Sequence, residues 1–176
     1  MKSDNNFPEF ENIINEMTYV YKHDNRPWLI GYSGGKDSSL LVTLVVETVL
    51  RLPEYARTKK IFIVTSDTGV ENPVVKKYMH SSSEKINIFS KKVRANIQAD
   101  IIYPDVTQSF WSLIIGLGYP TPEPPGFRWC TERLKILPMN KYTNSLIEQY
   151  GEVILLLGVR TVSYTHLRAH ETCADL

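Results

Sequence analysis

Cysteine is scarce in this chain. Of 176 residues only Cys130 and Cys173 carry a thiol, too few for a disulfide framework. Charge of either sign is not in excess, because 20 lysines and arginines against 19 aspartates and glutamates leave a formal net charge of +1. That balance gives no global electrostatic case for nucleic acid. The local basic run Lys85, Lys91, Lys92 and Arg94 reads first as a solvated helix face and only second as a polyanion contact. Long apolar runs are missing as well: the longest, residues 40–50, contains Glu47 and is too short to span a bilayer. The polar start, Met1 to Asn6, does not read as a signal peptide. The expectation is a cytoplasmic protein with no membrane partner. There is no internal repeat or low-complexity tract, and His23, His80, His166 and His170 lack ligand spacing with the cysteines, so they read as surface residues. With 43% hydrophobic residues the chain suffices for one core and is short for two domains.

What the chain does have is a strand, a glycine-rich turn and a helix start in one stretch, residues 28–38, WLIGYSGGKDS. Backbone N–H groups at a helix start lack partners within the helix and sit at its positive dipole end, which makes them an anion site. The adjacent Gly34 and Gly35 let the backbone close on a phosphate where a Cβ would block it. A Walker A loop is excluded: Ile30 stands five positions before Gly35, where that loop has glycine, and Asp37 rather than a hydroxyl residue follows Lys36. No G-x-G-x-x-G can be laid over Gly31, Gly34 and Gly35. The stretch Ser33, Gly34, Gly35, Lys36, Asp37, Ser38 does resemble, residue for residue, the Ser-Gly-Gly-x-Asp-Ser pyrophosphate loop of the ATP pyrophosphatases, which cleave ATP between the α and β phosphates.

The rest of the chain reads as α/β. Phe10, Ile13, Ile14, Met17 and Val20 recur at helical spacing, and Arg26-Pro27 ends that segment before the first strand. A helix through Leu40, Leu44 and Val49 ends near Pro53, a buried strand covers residues 60–66, and Asn72 with Pro73 can open a long helix reaching Val93 whose apolar positions are Val75, Met79, Ile86, Phe89 and Val93. A third strand is expected over residues 98–103 and a short helix over 107–117. The proline-rich stretch 118–126 reads as a stiff substrate lip or a linker. Helical spacing returns from Thr131, with an interruption at Pro138 and an end at Gly151, and a last strand spans 153–159. Strand, helix, strand with apolar strands implies right-handed parallel crossovers, with the ligand site at the strands' carboxyl ends. Asp67 and the phosphate loop then share one rim with Gly158 and Arg160.

Several residues there suit chemistry on a polyanion. A carboxylate in a phosphate turn is unfavourable unless a divalent cation stands between, so Asp37 is read as a Mg²⁺ ligand. Lys36, Arg128, Arg133, Lys135 and Arg160 supply cations, the arginines able to grip phosphate or sulfate with two hydrogen bonds. Cys130 lies between Arg128 and Arg133, where a thiolate is favoured; reactive thiol, metal-cluster ligand and structural residue all remain open for it.

Four blocks in order carry a narrower resemblance: the loop, residues 65–73 (TSDTGVENP), residues 127–138 (FRWCTERLKILP) and residues 157–160 (LGVR). Together, over roughly residues 5–160, they resemble the phosphoadenylylsulfate-reductase-like branch of the ATP pyrophosphatases, and within it most of all DndC, the sulfurtransferase family of bacterial DNA phosphorothioation. The resemblance implies a three-layer α/β sandwich with a mainly parallel twisted sheet, adenine nucleotide α-hydrolase-like, five-stranded in the family and here truncated at its C-terminus. It also implies hydrolysis of ATP to AMP and pyrophosphate. The implied nucleotide-binding residues are Ser33 to Ser38 with Asp67, Thr68 and Arg160. The implied catalytic residues are Lys36, Asp37, Cys130 and Arg133. Further implications are DNA as substrate, a cysteine desulfurase as sulfur donor, other Dnd proteins as partners and a 4Fe–4S cluster with Cys130 as a ligand. The cluster's remaining cysteines lie beyond the end of this chain, so none is expected here. A phosphoadenylylsulfate reductase or a non-catalytic nucleotide-binding module are the rival readings. Residues 1–160 are expected to form the pyrophosphatase domain and residues 161–176, unlike the family at this point, a non-native tail.

Overall fold

The structure, a computed structural model, describes residues 8–122 and 128–158. Arg160, Cys173, the expected tail and the middle of the proline-rich stretch lie outside the described residues. Helix α1 (Pro8–His23) leads to strand β1 (Trp28–Gly31), helix α2 (Lys36–Leu50), strand β2 (Ile61–Ser66), helix α3 (Pro73–Lys92) and strand β3 (Ile97–Ile102). Short 3₁₀ and π turns follow, then α4 (Trp129–Thr131), α5 (Leu137–Tyr150) and β4 (Ile154–Leu156). The sheet order is β3-β2-β1-β4 and every pairing is parallel, so the fold class is α/β, as expected.

Both faces of β1 and β2 are covered, which is why their residues are apolar without alternation. On one face Trp28, Ile30, Ile61 and Ile63 pack with Val42, Val45 and Val49 of α2 and with Ile86 of α3, while α1 packs on α2 and adds Tyr21 to the same core. On the other face Leu29, Phe62 and Val64 meet Leu146, Met139 and Tyr142 of α5. Lys59, at the entry to β2, is buried; its ammonium donates to the carbonyls of Asp24 and Arg26 and lies over the rings of Tyr21 and Trp28 at 5.6 and 5.5 Å. Burial pushes its pKa down despite nearby Asp24.

Asn72 caps α3 as expected, its side chain accepting the Val74 N–H at 2.9 Å, with Pro73 in the first turn. The buried face of that helix is more polar than its spacing suggested. Val75 is 44% exposed, and the buried positions are Met79, Ser83 and Ser90. The reason is β3, whose outer side would otherwise be an open edge. Asn87 donates to the Ala99 carbonyl at 2.9 Å and accepts the Ala99 N–H at 2.8 Å, and Ser90 Oγ accepts the Ile97 N–H. Side chains of α3 thus satisfy the N–H and C=O of Ala99 and the N–H of Ile97, as a neighbouring strand would.

Two local expectations change. Residues 107–117 are not one helix but a 3₁₀ turn, Val106–Gln108, capped by Asp105, and a π turn, Ser112–Gly116. Pro138 does not interrupt its helix either: α4 runs through a π turn, Glu132–Ile136, straight into α5, with Pro138 in that helix's first turn. A widened turn just upstream accommodates the ring and the missing N–H of a proline.

Candidate active site

Parallel pairing of β1 and β2 brings the loop after β1, the end of β2 and the start of α3 to one rim. Tyr32 extends β1 by one bond, its N–H donating to the Val64 carbonyl at 2.8 Å, and the chain then turns through Gly34 at φ +73° into α2, whose N-cap is Gly35. No side chain caps α2, in contrast to α3. The serines hold the turn itself. Ser33 Oγ and Ser38 Oγ lie 3.1 Å apart, and Ser38 Oγ also donates to the Gly35 carbonyl at 3.2 Å and accepts the Ser33 N–H at 3.3 Å. A left-handed glycine before an uncapped helix start is the geometry of an anion cradle. Lys36 is exposed beside it and Asp37 half-buried in the first turn of α2. Gly158, after β4, closes on the same turn: a Cβ there would stand 2.7 Å from the Asp37 carbonyl oxygen.

Beside the cradle opens a pocket of about 500 Å³. It is lined by Gly31 and Ser33 at the end of β1, Val64 and Ser66 of β2, Glu71 and Met79 before and on α3, and Lys135 with Met139. Its size and largely apolar lining suit a small-molecule site such as a nucleoside.

Asp67 and Thr68 occupy the β2 side of the rim. The Asp67 side chain is fully buried; it accepts the Gly69 N–H at 2.9 Å and meets Lys76 Nζ at 3.1 Å and His80 Nε2 at 3.3 Å. Burial alone would raise its pKa, but the hydrogen bonds from Gly69, Lys76 and His80 prevail and hold it below its ordinary value. Thr68 is buried too, giving its N–H and hydroxyl to the two oxygens of Glu71 at 3.0 and 2.6 Å. His80 is therefore more than the surface residue its spacing suggested. Lys76 and His80, four apart on α3, turn one helix face toward Asp67, a signal visible in the sequence only once Asp67 is placed at the head of that helix. A carboxylate with a depressed pKa stabilises the folded state above about pH 4, its unfolded value, and loses that contribution as pH falls through the folded value. Asp67→Asn is thus expected to lower the melting temperature most at pH 7, the gap from wild type closing below about pH 4 in a pH series of thermal melts.

Other expected site residues fall farther from the cradle. Lys135 lines the pocket, whereas Arg133 is not on its wall and donates to Gln108 Oε1 at 3.1 Å. Cys130 is half-buried in α4, next to Trp129, which anchors the segment: its ring stacks on Phe110 at 5.7 Å, meets Tyr119 edge-on at 5.4 Å, and its indole N–H donates to the Pro120 carbonyl at 2.9 Å. Arg128 is exposed at the N-cap of α4. The run Lys85, Lys91, Lys92 and Arg94 is solvated, Arg94 reaching Glu54 at 3.0 Å.

The donor set fits one implied ion and not the other. Mg²⁺ keeps several waters and takes one or two carboxylates plus substrate phosphates, a demand that Asp37 at the head of the cradle meets without further protein ligands. An iron–sulfur cluster needs about four thiolates; Cys130 is the single cysteine among the described residues, and no group of three or more His, Cys, Asp or Glu there could hold a metal.

No family model matches the chain. It is similar to uncharacterized protein MJ0066 of Methanocaldococcus jannaschii, 28% identical over 149 residues, a match that covers 85% of this chain and 26% of that one. The chain thus spans about a quarter of the curated relative's length. Among solved structures it is similar to the U34-tRNA thiolase NcsA from Methanococcus maripaludis, a structure with its 4Fe–4S cluster, at 15% identity and TM-score 0.45 over 86% of this chain and 46% of that one. This likeness is too distant to bear on function. Among the described residues no helix is long and apolar enough to cross a membrane.

Proposed function

We propose that this domain binds ATP with Mg²⁺ and cleaves it between the α and β phosphates, activating an oxygen for replacement by sulfur. The observation that carries the reading is the uncapped start of α2 behind the left-handed Gly34, opening beside a nucleoside-sized pocket. In this scheme the pocket takes adenosine, and the N–H groups of residues 34–38 with Lys36 hold the β and γ phosphates. Asp37 carries the Mg²⁺ that offsets their charge. Attack of a substrate oxygen on the α phosphorus transfers the adenylyl group and releases pyrophosphate; a sulfur nucleophile then takes the place of that oxygen, which leaves with AMP. Such chemistry asks a protein chiefly for positioning and charge stabilisation.

The four sequence blocks support a finer proposal. The activated oxygen is a non-bridging phosphate oxygen of DNA, the sulfur comes from a cysteine desulfurase, and other Dnd proteins complete the assembly. Lys36, Asp37, Arg133 and Cys130 are the proposed catalytic residues, and Arg160 completes the phosphate contacts.

The test is calorimetric titration of ATP with and without Mg²⁺ on wild type and Asp37→Ala. Loss of the carboxylate is expected to weaken Mg²⁺-dependent binding by at least about tenfold to 100-fold, the range that even a metal's outer partners produce. Equal affinities would reduce the loop to a helix start with no ligand. Release of pyrophosphate from ATP separates this reading from a phosphoadenylylsulfate reductase, which reduces nucleotide-bound sulfate and leaves ATP intact.

A further inference from the structure

We propose that Tyr78, outside the loop, is the positioning residue that keeps the phosphate cradle open. The proposal rests on the reading of residues 33–38 as a pyrophosphate cradle and names the side chain that shapes it. A Cβ added at Gly34 would stand 3.2 Å from Tyr78 Cε1 and 3.5 Å from Cδ1, so the ring already forms a wall against one side of the turn. The ring also stands beside the end of β1. Its hydroxyl lies 3.4 Å from that of Tyr32, a buried residue that directly precedes Ser33. Tyr78 thus joins α3 to the residue entering the cradle and to the turn itself.

Burial does not account for this position, because Tyr78 is 51% exposed while its neighbours on α3, Val75 and Met79, turn into the pocket. What the ring does is restrict a glycine. Gly34 at φ +73° has access to more backbone conformations than any other residue type would, and only those that aim consecutive N–H groups at one point bind an anion. A wall of sp² carbon on one side removes part of that freedom before the ligand arrives, which is preorganisation. The pocket for the nucleoside does not include Tyr78 among its lining residues, so the effect falls on the phosphates alone.

The experiment is calorimetry on the full chain with three probes, namely ATP with Mg²⁺, inorganic pyrophosphate with Mg²⁺, and adenosine. Tyr78→Ala is expected to weaken pyrophosphate and ATP by about tenfold and to leave adenosine unchanged; Tyr78→Phe, which keeps the ring, is expected to bind all three as wild type does. Wild-type affinity for pyrophosphate in Tyr78→Ala would overturn the proposal. An equal fall for all three probes would overturn it too, since that is the mark of a merely structural residue, and so would a fall in Tyr78→Phe as large as in Tyr78→Ala, which would put the effect on the hydroxyl. Wild type that binds adenosine but no pyrophosphate would instead sink the cradle reading on which the proposal stands.

Discussion

Gly34→Val is expected to abolish detectable binding of ATP with Mg²⁺ while leaving the sheet and its helices folded. Two effects act together at this position. A β-branched residue at φ +73° is a steric outlier that costs on the order of 1–2 kcal/mol even for a simple side chain. Its Cβ would stand 3.2 Å from the Tyr78 ring, tighter than ordinary contact, before either methyl group is placed. Relief of both forces the turn to another conformation, and the N–H groups of the cradle no longer converge. The turn lies at the rim and not in the core, so circular dichroism and the melting curve are expected to change little. Calorimetry checks the outcome, and an affinity within about twofold of wild type would mean that the turn takes no part in binding.

Trp129→Ala carries the largest expected effect on stability. The indole is buried, stacks on Phe110, meets Tyr119 edge-on and gives its N–H to the Pro120 carbonyl. Truncation of such a residue costs about 3–5 kcal/mol. For a chain of this size that corresponds to a fall in melting temperature of roughly 6–20 °C. Trp129 also fastens the far side of the proline-rich stretch to its near side, so limited proteolysis is expected to cut Trp129→Ala between residues 118 and 128 faster than wild type. A melting temperature within about one degree of wild type would show that the aromatic cluster is ornament and that α4 is held by its continuity with α5 alone.

Much of the architecture was legible in the sequence because its signals are local. The Asn72-Pro73 helix start, the apolar runs of β1 and β2 and the turn at residues 33–38 each depend on neighbours within a few positions, and each stands where the pattern placed it. What escaped depends on partners distant in the chain. Ser83, Asn87 and Ser90 look like the polar side of α3 until β3 lies against them. His80 looks solvated until Asp67 is buried beneath it. The continuity of α4 with α5 escaped for a different reason: proline normally ends a helix, and the π turn that spares this one leaves no mark on hydrophobic spacing. Of the site, the loop was readable as chemistry. The pocket wall that selects Lys135 over Arg133 was not, because their difference is one of direction around a widened helical turn.

The clasp of Asn87 on Ala99 makes the two borders of the sheet unequal. The N–H and C=O of Ala99 and the N–H of Ile97 are occupied, which blunts that side as a template for another strand. β4 has β1 as its only neighbour among the described residues, and Leu155 and Leu157 are exposed there. Among the described residues the sheet thus ends at β4, next to the turn where Gly158 approaches the start of α2, so the border that α3 does not cover is also the one that lies beside the mouth of the site.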